Sequence, residues 1–297
     1  MIYDVVIIGM GISGICAAIY AKRSNLNVLI IDKSMPGGLL NNIENIDNYP
    51  GYSHIAGPDL AEKLFEQITN LNVEMKYEEV INIEDKNDIK IIKTTNNTYE
   101  AKRVLIATGR SQRTLGLEHE KELLGRGIST CALCDGNFFK EKEVAVIGGG
   151  NSALQEALYL SKIVKKIYLI HRRGEFTAQP EIIDKVKNTD NIEIMMNKNV
   201  KELIKNDEVL GGIILNDGTV LDVEGLFIYI GFTPKADFIN NLNITNESGY
   251  ILVDDKMETK VKGIYASGDI IKKQVYQLVT GASEGAVAAI NIISSLK

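Results

Sequence analysis

Two of the chain's three cysteines stand two residues apart in Ser129-Thr130-Cys131-Ala132-Leu133-Cys134-Asp135-Gly136, with a carboxylate directly after the second. A Cys-x-x-Cys spacing suits a small disulfide ring that opens and closes. A positive helix end or an electron-poor ring beside it can hold one sulfur as thiolate, the nucleophilic form. Asp135 is placed to manage the proton that dithiol–disulfide interconversion gains or loses. A zinc site would need four ligands, and the remaining candidates, Cys16, His54, His119 and His171, lack ligand spacing, so no metal is expected. A purely structural disulfide is rare in a reducing compartment. Position decides for redox chemistry, because the pair lies between two nucleotide-binding signatures from which electrons can reach it.

The first signature starts the chain. Ile2 to Ile8 is an apolar, β-branched run that reads as a buried parallel strand. It feeds Gly9-Met10-Gly11-Ile12-Ser13-Gly14, an Ala-rich helix to about Ser24, and a strand Val28–Ile31 ending on Asp32. In this βαβ pattern the first glycine makes the turn and the second lets the backbone approach a pyrophosphate. The third lets helix and strand pack, and the helix N-terminus faces the negative charge. Asp32 can accept from adenosine ribose hydroxyls and would repel a 2′-phosphate, which suits FAD or NAD rather than NADP. Pro36-Gly37-Gly38-Leu39-Leu40 and Asn48-Tyr49-Pro50-Gly51 follow; their loops either lie against a flat ring system or are simple turns. Residues 59–70 read as an amphipathic helix, a hairpin turns at Asn96-Asn97, and Val104-Leu105-Ile106-Ala107-Thr108-Gly109 is a strand ending in small residues.

The second signature begins at Glu143–Ile147 and continues as Gly148-Gly149-Gly150-Asn151-Ser152-Ala153, with a helix through Leu160 and a strand Ile167–Ile170. His171 sits 23 residues past Gly148, as Asp32 sits 23 past Gly9. His171-Arg172-Arg173 thus replaces the acid, and arginines supply charge and paired donors for a 2′-phosphate, which favours NADPH. A hairpin at Asp217-Gly218 and the strand Leu226–Ile230 repeat the tail of the first copy.

At 297 residues, 45% hydrophobic and 24% charged, the composition is that of a soluble globular protein of one large or two medium domains. A net charge of −6 argues against nucleic acid or an anionic membrane as partner. No targeting leader is recognisable, no apolar run approaches the ~20 residues of a membrane span, and the cytoplasm is the expected location. The fold class is α/β: two Rossmann-like, three-layer ββα dinucleotide-binding domains, the second inserted into the first. The discontinuous domain takes 1–114 and 243–297, and the inserted one, carrying the Cys-x-x-Cys, takes 115–242. The tail with Gly268-Asp269 and a small-residue helix returns to the first domain.

Together these motifs resemble the low-molecular-weight, bacterial-type thioredoxin reductases over essentially the whole chain. The resemblance rests on 9–14, Asn-Tyr-Pro-Gly at 48–51, Ala-Thr-Gly at 107–109, Cys-Ala-Leu-Cys-Asp at 131–135, 148–153, His-Arg-Arg at 171–173, Gly-Asp at 268–269 and Gln277. It implies a homodimer whose first domain holds FAD and whose inserted domain holds NADPH, and it implies thioredoxin as partner. The FAD residues would be Gly9, Gly11, Ile12, Ser13, Gly14, Asp32, Gly37, Gly38, Leu39, Asn48, Ala107, Thr108, Gly109, Asp269, Gln277 and Leu278. NADPH would lie on Gly148, Gly150, Asn151, Ser152, Ala153, His171, Arg172 and Arg173. Cys131, Cys134 and Asp135 would carry the redox step, and the inserted domain would rotate about stretches near Arg110–Leu117 and Asn240–Glu247. Three positions depart from the family pattern: Thr177 and Tyr276 stand where arginines are usual, and Leu39 where a glutamine is common. Thr177 and Tyr276 leave NADH or ferredoxin as alternative donors; the alternative acceptor is another thioredoxin-like or peroxiredoxin-system protein.

Overall fold

The computed structural model describes residues 1–43 and 46–297, with only the backbone of Asn42, Leu133 and Cys134. The chain forms two compact units, Met1–Ser111 with Thr233–Lys297, and Gln112–Phe232.

The first unit opens with β1 (Ile2–Ile8), α1 (Ile12–Arg23), β2 (Val28–Asp32), α2 (Gly57–Asn70), β3 (Glu74–Tyr77), β4 (Val80–Lys86), β5 (Ile89–Thr94) and β6 (Thr98–Ile106). The parallel order β3-β2-β1-β6 sets Val5 beside Val28 and Ile8 beside Ile106. Val6, Ile8, Leu29 and Ile31 face a cluster with Val80, Ile83 and Ile92, whereas Val5, Ile7, Val28 and Ile30 face Ile15, Ala17 and Ala18 of α1. Burial on both faces is why these strands read as unbroken apolar runs. Each fully buried aliphatic side chain contributes about 1.5–3 kcal/mol. The first half of β6 pairs antiparallel with β5 across the Asn96-Asn97 turn.

The chain then runs through β7 (Arg110–Gln112), α3 (Glu120–Leu123), β8 (Ile128–Ser129), α4 (Ala132–Asp135), β9 (Glu143–Ile147) and α5 (Asn151–Leu160). It continues with β10 (Lys166–His171), α6 (Pro180–Lys187), β11 (Ile192–Met196), β12 (Val200–Asn206), β13 (Val209–Leu215), β14 (Val220–Leu221) and β15 (Gly225–Ile228). The second unit is built on a parallel sheet, β11-β10-β9-β15-β8. Helices α5 and α6 bury Leu154, Ala157, Leu160 and Val186 on one face; the antiparallel set β12-β13-β14 covers the other with Leu210, Ile213 and Leu215. Both units are therefore three-layered.

After β16 (Phe232–Pro234), which pairs with β7, come a 3₁₀ turn Asp237–Leu242, β17 (Ile264–Ala266) and α7 (Leu278–Ser295). The return into the first unit falls at Phe232–Thr233, ahead of the 243 boundary and of the 240–247 stretch read from the sequence. Ala236, Ile239 and Leu242 bury in the cluster of Val6 and Ile106, so this segment is core of the first unit. β17 lies parallel to the second half of β6. Among the described residues α7 is the one helix long and apolar enough to cross a membrane by length and composition. Its Gly285 instead meets α1 so closely that an added Cβ would strike the carbonyl of Ser13.

Candidate functional site

The first glycine loop is built by packing at two positions and left open at a third. A Cβ on Gly9 would run into the Ala107 carbonyl, and one on Gly14 into the Gly9 carbonyl, so strand, helix and the end of β6 close only on glycine. Gly11 has an ordinary φ of −77°, and nothing lies within 4 Å of where its Cβ would be. The protein's own atoms do not require glycine there. The open space stands at the head of α1, where the first amides have no intrahelical partner, and it fits a pyrophosphate. Asp32 Oδ2 accepts the Met10 N–H at 2.7 Å, and Oδ1 accepts the N–H and hydroxyl of Ser34 at 3.0 Å. An ionised carboxylate has about four acceptor sites, so capacity remains for a ribose hydroxyl.

Residues far apart in sequence gather around this loop. The Gly37 N–H donates to the Met10 carbonyl at 2.7 Å, Gly38 comes up to Gly11, and Ile12 is buried beneath. Ser13 Oγ and Ser267 Oγ, both buried, lie 2.7 Å apart and bring Gly268-Asp269 to the head of α1. The Gly268 N–H donates to Glu284 Oε2 at 2.9 Å, and Lys273 Nζ joins Glu284 (2.8 Å) to Asp269 (3.3 Å). Burial pushes the Glu284 carboxyl up in spite of that lysine. Arg110 Nε lies 3.2 Å from Asp269, and its guanidinium stands 4.2 Å over the ring of Tyr276, the residue in place of a family arginine. Asn48 Nδ2 donates to Gln277 Oε1 at 3.2 Å, and Gln277 caps α7, which begins at Leu278. Thr108, between Ala107 and Gly109, donates its hydroxyl to the Lys235 carbonyl at 2.9 Å; Leu39 is exposed.

The second loop repeats the plan. A Cβ on Gly148 would come within 2.5 Å of the Tyr229 carbonyl oxygen, while Gly150, with φ −95°, has only Thr177 Oγ1 nearby at 3.8 Å. Ala153 fills the third position and Ser152 is exposed. His171 is buried with its ring against Gly149, where any Cβ would overlap it. Its Nε2 is 3.0 Å from the Glu175 carbonyl, and burial, with Arg173 and Arg172 close by, lowers its pKa. Arg172 and Arg173 are exposed. His171 thus shapes the loop from below, and the two arginines are the cations turned to solvent. Thr177 donates its N–H (2.7 Å) and hydroxyl (3.2 Å) to the Gly149 carbonyl, and Asn151 Oδ1 accepts the Gln179 N–H at 2.8 Å. The segment after the strand is thereby tied to the glycine loop.

The cysteine stretch lies in the same unit. Ser129 ends β8, and its hydroxyl donates to Asp135 Oδ2 at 2.6 Å while accepting the Cys131 N–H at 3.0 Å. The Asp135 N–H closes one turn onto the Cys131 carbonyl at 3.1 Å. Cys131 is disulfide-bonded; the side chain of Cys134 lies outside the described residues. Cys16, on α1, is a free thiol whose pKa is pushed up by burial. The Ala132 N–H donates to the hydroxyl oxygen of Tyr229 at 2.7 Å. Glu156 of α5 lies near Tyr229, and burial pushes its carboxyl up. Sequence reading assigned no role to Ser129, Tyr229 or Glu156. The signals for the first two were a hydroxyl two residues before a cysteine and a tyrosine where the first copy has Ala107.

Two dinucleotide-type loops and a disulfide in one chain define the class of nucleotide-dependent disulfide oxidoreductases. Residues 3–286 match the family described as pyridine nucleotide-disulphide oxidoreductase. A thioredoxin reductase of Ureaplasma parvum is 44% identical over 294 residues, covering 97% of this chain and 95% of that protein. One of Bacillus subtilis is 41% identical over 293 residues, covering 97% and 93%. The crystal structure of Lactococcus lactis thioredoxin reductase is similar with a TM-score of 0.82 at 39% identity, over 99% of each chain. The chain belongs to the pyridine nucleotide-disulphide oxidoreductases, among the thioredoxin reductases.

Proposed function

We propose that the chain is a flavoprotein that carries electrons from NADPH, through FAD and a Cys131–Cys134 disulfide, to oxidised thioredoxin. FAD when bound supplies a two-electron relay between the nicotinamide and the disulfide. The observation that carries the reading is the disulfide at Cys131, beside an Asp135 held by Ser129, in the same unit as a glycine loop backed by arginines.

The first unit is the FAD site. The space at Gly11 takes the pyrophosphate, Asp32 takes the ribose, and Asp269 faces the ribityl chain. Gly37, Gly38, Leu39, Asn48, Ala107, Thr108, Gly109, Gln277 and Leu278 complete the wall. In the second unit Gly148, Gly150, Asn151, Ser152 and Ala153 hold the NADPH pyrophosphate, and Arg172 and Arg173 hold its 2′-phosphate over His171. The intact loop and its arginines support NADPH over NADH or ferredoxin.

Reducing the disulfide takes two electrons and, with both sulfurs as thiols, two protons. Asp135 delivers and later removes one of these protons, and the Ser129 hydroxyl keeps its carboxylate aimed. The dithiol then passes both electrons to the disulfide of thioredoxin by exchange and closes again. We place the working enzyme in the cytoplasm, where thiols are kept reduced, as a homodimer. Cys134→Ser tests the reading: the yellow colour and NADPH oxidation with ferricyanide should persist while thioredoxin reduction is lost. Retained thioredoxin reduction would overturn it.

A further inference from the structure

Tyr229 touches two sites of the second unit at once. Its N–H donates to the Ile147 carbonyl at 2.7 Å, and its own carbonyl closes on Gly148, the first glycine of the loop. Its hydroxyl accepts the Ala132 N–H at 2.7 Å, at the first turn of α4. Glu156, on the second turn of α5, stands near this tyrosine, and burial disfavours its ionised carboxylate. In the first unit the corresponding carbonyl, facing Gly9, belongs to Ala107, which has no side chain to make this reach.

The effect on the cysteine turn follows from its amides. The Cys131 N–H is taken by Ser129 Oγ and the Ala132 N–H by Tyr229 Oη. Amide dipoles at the start of a turn stabilise negative charge placed near them, and a bound oxygen offsets that help. A sulfur that becomes thiolate on this turn therefore gains less than it would beside open amides. Anything that disfavours the thiolate lowers the potential of the disulfide and makes the dithiol a stronger reductant.

We propose that Tyr229 is a positioning residue that sets the redox poise of the disulfide at Cys131, holding the dithiol at the strongly reducing end. The proposal rests on the reading of Cys131 and Cys134 as the redox pair. The redox step is the two-electron, two-proton one given above, and a dithiol reagent can supply it in place of NADPH.

The test uses the purified holoenzyme and its Tyr229→Phe and Glu156→Gln variants. Each is equilibrated without oxygen in dithiothreitol buffers of graded ratio, quenched and alkylated, and Cys131 modification is read by mass spectrometry. Tyr229→Phe frees the Ala132 amide. Its equilibrium should shift about threefold to tenfold toward the dithiol, a potential about 14–30 mV less negative. Alkylation of the reduced enzyme should also begin at lower pH. Glu156→Gln removes a carboxylate from beside Tyr229 and leaves the Ala132 contact in place, so a smaller shift in the same direction is expected. Unchanged equilibria in folded variants, or a shift toward the disulfide, would overturn the proposal. So would lowered thermal stability with no change in equilibrium. Because dithiothreitol replaces NADPH and thioredoxin, this outcome is separate from that of the Cys134→Ser experiment.

Discussion

Asp32 in the first unit reaches from the end of β2 to the Met10 amide of its glycine loop. At the same distance from the first glycine of the second loop, His171 lies under Gly149 and gives Nε2 to the Glu175 carbonyl. One strand end presents a carboxylate to the loop; the other buries its imidazole and turns Arg172 and Arg173 outward. On the proposed function, the same backbone plan would serve one site that repels a 2′-phosphate and one that attracts it. Each first glycine meets a carbonyl, of Ala107 or of Tyr229, and each second glycine is left open. What separates the units is their side chains: an acid or two arginines, an alanine or a tyrosine that reaches the cysteine turn.

The largest expected effect tests the packing side of this comparison. Gly14→Ala puts a methyl into the Gly9 carbonyl and should cost about 3 kcal/mol or more, giving colourless or insoluble protein. The reciprocal Ala153→Gly should cost about 1 kcal/mol and leave flavin content unchanged. Comparable losses in thermal denaturation would break the asymmetry between the third loop positions. Next in size, removing both Arg172 and Arg173 as alanines should raise the KM for NADPH ~10–100-fold, about 1.4–2.7 kcal/mol, and leave that for NADH nearly unchanged. Equal losses for both nucleotides, measured in steady state, would mean that the arginines serve the fold or the pyrophosphate.

Asp32→Ala should weaken retention of FAD by about 1–3 kcal/mol, read by equilibrium dialysis of the yellow colour, because the Met10 amide loses its acceptor along with the ribose. The smallest effect concerns Glu156. Burial raises its carboxyl above the ordinary value, so its contribution to stability is full at low pH and lost as pH rises through the raised value. Glu156→Gln should therefore melt slightly above the parent at pH 8, with the difference vanishing near pH about 4. A gap that widened on acidification would contradict burial as the cause of the raised carboxyl.

Much of this was legible in the sequence for identifiable reasons. Strands buried on both faces, such as Val5–Ile8 and Val144–Ile147, leave unbroken apolar runs. Counting from Gly9 and from Gly148 places Asp32 and His171 at equivalent strand ends. The crossing at Phe232–Thr233 leaves no sequence signal because Ala236, Ile239 and Leu242 are apolar in either unit; only packing against Val6 and Ile106 shows which core they join. The inward turn of His171 depends on space beneath Gly149 and on Phe176, 5.5 Å away, neither of which spacing encodes. The contact of Tyr229 with Ala132 joins residues 97 apart, and local periodicity carries no trace of it.

The division of labour between the two loops is tested most directly by mixing the anaerobic yellow protein with NADPH, and separately with NADH, and following flavin bleaching by stopped flow. Rapid bleaching by NADPH and much slower bleaching by NADH is the predicted result, with Arg172 and Arg173 sufficient beside Thr177. Bleaching by NADH as fast as by NADPH, or by neither, would contradict it.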